Sequence, residues 1–367
     1  MQLDKVPGEF RVIRWGVRSF RGDYRGVALG DPQGARLQEL RKEFALDDVI
    51  RGAGSEFAAL LALKRWVRSR WNHGYDHYKF QVDDGLDMLR AAQKGANFAC
   101  GYYARTFVDC ACALGFPARM VSISVEHCEF PRDYNYGNVG HAVAEVWCND
   151  HEKWVLMDPD LNVYYSRGGV PLSALEIREA WLSGCADEVE VVADEPGFVI
   201  PGEDQAEVLR GDPLYAHFTA QTLVHLFERF NRHRNLDYYV RINVGGWDWV
   251  DERVLPTFVH HFAPRAARPT GNADELYPSL NMVRLQLEPR WDEEGAELLV
   301  RFEHCMPWFC HFELSVDGGP WQRCGESYTW RMHEGVNRLA VRPVNVCGRV
   351  GITSELAVAY ASPQVRW

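Results

Sequence analysis

A thiol, an imidazole and a carboxylate can together make an activated nucleophile, and Cys100, His141 and Asp158 are the residues of this chain whose types and spacing could combine in that way. Cys100 lies in GANFACGYYARTF (95–107), where a turn gives way to an apolar helical pattern. The thiolate is the nucleophilic form, and the unpaired N–H groups and dipole of a helix's first turn favour an anion. Position alone does not make a nucleophile, because most cysteines are small buried hydrophobes. A base is needed, and a group that orients the base.

His141 opens the alternating run HAVAEVW, and Asp158 closes the short run KWVLMD. Between them CNDHEK offers Asn149-Asp150 as tight-turn residues. A two-residue loop there sets Cys148 against His151, Glu145 against Trp154, Val143 against Leu156 and His141 directly against Asp158. On the other face Ala142 meets Met157 and Ala144 meets Val155. Directly opposed side chains have Cβ atoms about 4.5–5.5 Å apart, within reach of an imidazole-to-carboxylate hydrogen bond. The register decides the outcome, since a slip of one residue puts His141 and Asp158 on opposite faces.

These residues need a scaffold. Residues 34–45 pattern as a helix, and Ser55 caps a stronger one, SEFAALLALKRWVRSRW. Asp84 caps a shorter helix that runs to Gln93, with Gly95 just past its end. In the helix after Cys100, residues Ala104, Phe107, Val108, Ala111 and Leu114 repeat on one face until Gly115 and Pro117 stop it. ARMVSISV, HAVAEVW and KWVLMD then read as strands, an α+β order in which helices pack on an antiparallel sheet. Asp212-Pro213 begins another helix with an apolar stripe. From about 281 onward strand runs alternate with turn clusters such as Asp317-Gly318-Gly319-Pro320, the pattern of a β-sandwich. The expected organisation is a catalytic domain over 1–200, a connecting helical or irregular segment over 201–280 and a sandwich domain over 281–367.

Composition narrows the function. The formal charge of −11 argues against a nucleic-acid footprint or a polybasic membrane anchor. No apolar run is long enough to span a membrane. The opening MQLDKVPGEF has no apolar h-region, which sets the expectation of a cytoplasmic protein, or of a secreted or periplasmic one if a leader has been removed. Ten cysteines without a C-x-x-C pair are read as free thiols, and no metal or cofactor is expected.

Four pieces in order, Cys100-Gly101-Tyr102-Tyr103-Ala104, Leu114-Gly115-Phe116-Pro117-Ala118-Arg119, Gly140-His141-Ala142-Val143-Ala144-Glu145-Val146 and Trp154-Val155-Leu156-Met157-Asp158-Pro159, resemble the core of the transglutaminase-like superfamily. The strong match spans about residues 85–165. The resemblance implies a papain-related fold, with Cys100 as nucleophile, His141 as base and Asp158 as the group orienting it. It implies attack on an amide carbon and a thioester captured by water or an amine, as in the superfamily's peptidases, amidases, glycan-releasing deglycosylases and protein cross-linkers. Peptides, amides or glycoconjugates are the expected substrates, with hydrolysis ahead of cross-linking. A non-enzymatic carbohydrate- or protein-binding protein on the same scaffold is the contrasting reading. The C-terminal strands resemble a fibronectin III or immunoglobulin-like module. Asp158-x-Asp160-x-Asn162 begins like a calcium loop, but Val163 and Gly169 stand where its glycine and bidentate Glu belong, so an EF-hand is rejected.

The resemblance also points to an upstream side chain as second oxyanion donor, and Trp71 is the candidate, set against ordinary packing. His73 and His77 are read as rim residues of the cleft, and Tyr102 as a lining residue two positions after the thiol. Glu145 shares a strand face with His141 and is read as site-lining, or as a structural partner of a neighbour. Asn138 lies in EFPRDYNYGNVGH (129–141), a polar-aromatic segment expected to reach over the cleft and select substrate.

Overall fold

The structure, a computed structural model, describes residues 9–74, 76–124, 140–193, 241–244, 247–249, 268–292 and 295–362. The chain forms two compact units, one from Met1–Gly26 with Tyr277–Trp367 and the other from Val27–Leu276. The first strand, β1 (Glu9–Gly16), pairs antiparallel with the last, Phe10 opposite Tyr360 and Trp15 opposite Leu356. The N-terminal residues therefore belong with the C-terminal strands, and a catalytic domain beginning at residue 1 is corrected. Residues 1–30 read as short strand-like runs and turns, but β1 is exposed along most of its length and nothing in its own sequence names the distant strand it joins.

The central unit is built around one buried helix. Helices α1 (Ala35–Glu43), α2 (Leu46–Val49), α3 (Glu56–Arg68) and α4 (Gly85–Ala92) precede α5 (Cys100–Ala113). Ser55 caps α3 by accepting from Ala58 N at 3.2 Å, and Asp84 caps α4 by accepting from Asp87 N at 3.1 Å. From Thr106 to Ala113 every residue of α5 is buried, as a helix packed on all sides requires. It contacts α1, α3 and α4 as well as strands β2 (Ala118–Ser124) and β3 (Gly140–Cys148). Its end is a Schellman closure: Gly115, at φ +84°, donates to Cys112 O at 2.9 Å and Phe116 N donates to Ala111 O at 2.9 Å. That turn sends the chain straight into β2.

β4 (Lys153–Met157) completes the hairpin with β3. β5 (Val163–Arg167), β6 (Val170–Pro171) and β7 (Glu190–Ala193) form a small separate sheet, with α6 (Ala174–Leu182) between β6 and β7. β8 (Arg241–Val244), β9 (Trp247–Trp249) and β10 (Arg268–Thr270), then α7 (Ala273–Leu276), end the unit. The main sheet runs β10-β9-β8-β2-β3-β4, antiparallel except for the β9–β10 pair. Residues 201–280 were expected to be a connector, but their described strands extend the sheet that holds β2, β3 and β4. These strands span only three or four residues each, too short for a periodic signal. The helix expected at Asp212-Pro213 lies outside the described residues.

The other unit is a sandwich. β11 (Val283–Asp292), β12 (Gly295–His304) and β15 (Ser327–Arg331) form one sheet. β1, β17 (Ser354–Ala361), β16 (Gly335–Asn345), β13 (Phe309–Val316) and β14 (Gln322–Cys324) form the other. Val283, Val300, Phe302, Phe312, Trp330, Val341 and Val358, from both sheets, share one core.

Candidate active site

Cys100 is the first residue of α5, and the approach to it is pinned on both carbonyls. Phe98 O accepts from Gly74 N at 3.2 Å and from Trp71 Nε1 at 3.2 Å, and Asn97 O accepts from Asp76 N at 2.9 Å. Asp76 Oδ2 returns a bond from Asn97 N at 3.0 Å. Residue 74 must be glycine for this crossing, since a Cβ there would lie 2.6 Å from Asn97 Cβ. Ala99 enters the helix extended, and its carbonyl accepts from Tyr102 N at 3.0 Å. The N–H groups of Cys100 and Gly101 fall in the first turn, beside the half-buried thiol, where no intrahelical acceptor exists.

His141 and Asp158 are brought together, by a register different from the one expected. Cys148 pairs with Lys153, Glu145 with Leu156 and Ala144 with Met157. The loop is therefore Asn149–Glu152, four residues rather than two, with Glu152 at φ +52°. The cause is long-range in sequence: the loop's polar side chains serve the start of α3. Phe57 N donates to Asp150 Oδ2 at 2.8 Å, and Asn149 Nδ2 donates to Glu56 Oε2 at 3.0 Å. A shift of two residues preserves the faces. Asp158 moves from directly opposite His141 to a diagonal position, and the bond survives, with His141 Nε2 2.7 Å from Asp158 Oδ2. Asp158 is fully buried, bridges Val163 through both backbone groups and accepts from Leu161 N on its other oxygen at 3.0 Å.

With Nε2 on Asp158, Nδ1 is the ring nitrogen left for the thiol. Cys100 Sγ, a His141 ring nitrogen and a carboxylate oxygen of Asp160 all lie within 4.8 Å of one another. Burial alone would lower the His141 pKa. The Asp158 charge and hydrogen bond, with the hydrogen bond to Cys100, outweigh burial and raise it well above its ordinary value. An imidazolium is thus stabilised next to the sulfur.

Asp160 is the residue that sequence reasoning missed. It is 2 % exposed, and His73 Nδ1 lies 2.9 Å and 3.0 Å from its two oxygens. Burial pushes its carboxyl up, but the charge and hydrogen bond of His73, helped by His141 and Arg68, hold it below the usual carboxylate range. The signal was present in Asp158-Pro159-Asp160: two carboxylates two residues apart, read only as a failed calcium loop.

The remaining candidates divide. His73 reaches the site through Asp160. Tyr102 stacks between His77, at 5.7 Å, and Phe98, at 5.1 Å, forming an aromatic wall near the thiol. Trp71 is buried against Tyr103, ring centroids 4.6 Å apart, and its N–H is committed to Phe98 O, so it packs as core and does not aim a donor at the thiol. Glu145 does not line the site either. It is fully buried and accepts from Arg119 Nη2 at 2.8 Å and from Ala174 N at 2.8 Å. Asn138 and residues 125–139 lie outside the described residues. A cavity of about 920 Å³ is lined by Trp71, Arg65, Arg68, Arg70, Asn72 and Asn97 among others, and Cys100 is not among its lining residues. No helix among the described residues is long and apolar enough to cross a membrane.

None of the curated proteins matches the chain. Among solved structures, that of red sea bream transglutaminase aligns over 98 % of this chain and 77 % of its own, at 10 % sequence identity and a TM-score of 0.26. The family model that matches is that of the transglutaminase-like superfamily, over residues 44–159, a span that runs from just before α2 to just past Asp158. It is this core, from α2 to Asp158, that is similar to the transglutaminase-like superfamily.

Proposed function

We propose that the protein is a cysteine hydrolase that cleaves an amide bond in a peptide, a simple carboxamide or a glycoconjugate, by way of a thioester on Cys100. The observation that carries this reading is the placement of the sulfur within 4.8 Å of an imidazole whose far nitrogen is locked to a buried carboxylate at 2.7 Å. In the first half-reaction the Cys100 proton passes to His141 and Sγ bonds to the amide carbon. The carbonyl oxygen becomes an oxyanion facing the first-turn N–H groups of α5. Its collapse breaks the C–N bond, and His141 returns the proton to the leaving amine. In the second, water attacks the thioester carbon, His141 takes a proton from it, and Cys100 leaves to give the acid. Asp158 holds the ring in the useful tautomer and stabilises the imidazolium throughout. Water reaches a half-exposed sulfur without a dedicated site, and that favours hydrolysis over transfer to a bound amine.

The test is a short iodoacetamide pulse near neutral pH followed by peptide mass spectrometry. Cys100 is expected to alkylate well ahead of exposed Cys310 and half-buried Cys185, Cys324 and Cys347, and to lose that advantage in His141→Ala. Equal rates at Cys100 and Cys310 would remove the case for an activated thiol. A primary amine incorporated into product in preference to water would redirect the reading to cross-linking.

A further inference from the structure

The atoms that would attack an amide are also arranged as metal ligands. Cys100 Sγ, a His141 ring nitrogen and an Asp160 oxygen, all within 4.8 Å of one another, come from three separate elements: the start of α5, the start of β3 and the turn after β4. Bonds to zinc run about 2.3 Å for sulfur and about 2.0–2.2 Å for nitrogen and oxygen, so ligands on one tetrahedral ion stand about 3.3–3.7 Å apart. Side-chain adjustments of about 1 Å close these three onto a common centre.

The second observation is what stands behind the ligands. A metal-bound histidine characteristically donates its other ring N–H to a carboxylate, and His141 does so to Asp158 at 2.7 Å. The carboxylate ligand is itself held, by His73 Nδ1 at 2.9 Å and 3.0 Å. His141 is 5 % exposed and Asp160 2 %, while Cys100 is half-buried, so the open side lies at the sulfur, where water would complete four-coordination. Thiolate, imidazole and carboxylate together suit a borderline ion, Zn²⁺ or Co²⁺, and not Ca²⁺ or Mg²⁺.

We propose that Cys100, His141 and Asp160 bind one divalent transition-metal ion of the zinc type and that its occupancy reversibly silences the thiol. On binding, the thiol and imidazole protons leave to solvent and nothing is oxidised. The sulfur charge and the Nδ1 lone pair, both needed for attack, are spent on the metal. The silencing rests on Cys100 being the nucleophile; the metal site does not.

Cobalt titration of the full chain, without thiol reductant, tests it. One equivalent of Co²⁺ is expected to give a thiolate-to-cobalt charge-transfer band in the near ultraviolet. Cys100→Ser abolishes the band, Asp160→Asn weakens binding about tenfold or more, and His73→Gln weakens it about tenfold. Asp160→Asn should keep the parent's circular dichroism, which separates a lost ligand from a lost fold. An undiminished band in Cys100→Ser, or unchanged affinity in Asp160→Asn, overturns the site. Zn²⁺ should stop iodoacetamide labelling of Cys100, and a chelator should restore it; labelling at the free rate under saturating Zn²⁺ overturns the silencing. Cobalt bound at Cys100 in a chain that shows no amide cleavage sinks the hydrolase reading and leaves the metal site standing.

Discussion

Two buried ionic constellations sit on one face of β3, four residues apart, and they differ in what they leave over. Around Glu145 everything is closed. One oxygen takes Arg119 Nη2 at 2.8 Å and Nε at 3.2 Å, and the other takes Ala174 N at 2.8 Å. Arg119 lies over Trp154 at 3.9 Å and is fixed to Leu276 O by its remaining arm. Around His141, one ring nitrogen is tied to Asp158 and the other is turned to a half-buried sulfur. Both place a buried carboxylate against a nitrogen side chain. The closed constellation joins β2, β3, α6 and α7, whereas the one whose second ring nitrogen meets a thiol has chemistry available to it.

Substitutions can break this contrast. His141→Ala should reduce acylation by about 10⁴-fold, read from the burst of released amine, because both the base and the charge partner of the thiolate go. The fold should persist, as followed by circular dichroism. Asp158→Asn should cost about 10³-fold by favouring the wrong tautomer and withdrawing the charge that holds the imidazolium. Arg119→Leu should do the reverse. It strands Glu145 in the core and costs about 3–5 kcal/mol in denaturant unfolding, with little change in acylation per folded molecule. A large kinetic defect in Arg119→Leu, without a stability defect, would erase the distinction.

The pH dependence sharpens it further. Asp158 and the bond to Cys100 overcome burial and raise the His141 pKa above its ordinary 6.5. A group raised on folding contributes its full stability below the unfolded value and loses it as pH rises through the folded value. The stability advantage of the parent over His141→Gln should therefore be greatest at and below about pH 6.5 and shrink on the alkaline side. In Asp158→Asn the imidazole midpoint, followed by NMR, should fall.

Much of the site was legible because its signals are local. Ser55, Asp84 and Gly115 announce helix ends, and the stripe from Ala104 to Leu114 marks a buried helix; all are realised in the structure. The hairpin was legible in its faces and not in its register. Asn149 and Asp150 suit a tight turn, but they are bound to Glu56 and Phe57, 93 residues away. Asp160 was hidden for the same reason, since the histidine that gives it meaning is 87 residues distant. The partnership of β1 with β17 spans almost the whole chain. Turn and cap chemistry is written next to where it acts, whereas long-range partners are chosen by the finished fold.

Trp71 gives the finest version of the contrast, since it is a polar donor near the thiol whose allegiance decides its role. Its N–H goes to Phe98 O at 3.2 Å, and its ring packs on Tyr103 and against the edge of Phe98. By the rule that satisfied groups are scaffold, it should behave like Glu145. Trp71→Phe keeps an aromatic ring there and removes one hydrogen bond, so it should cost about 1 kcal/mol of stability. Acylation should change less than about threefold, because no oxyanion donor has been lost, whereas removing a true one costs about 10²–10³-fold. A drop of the latter size with near-normal stability would mean that the indole turns from Phe98 to the substrate during the reaction. Static satisfaction of a donor would then be no guide to its function at this site.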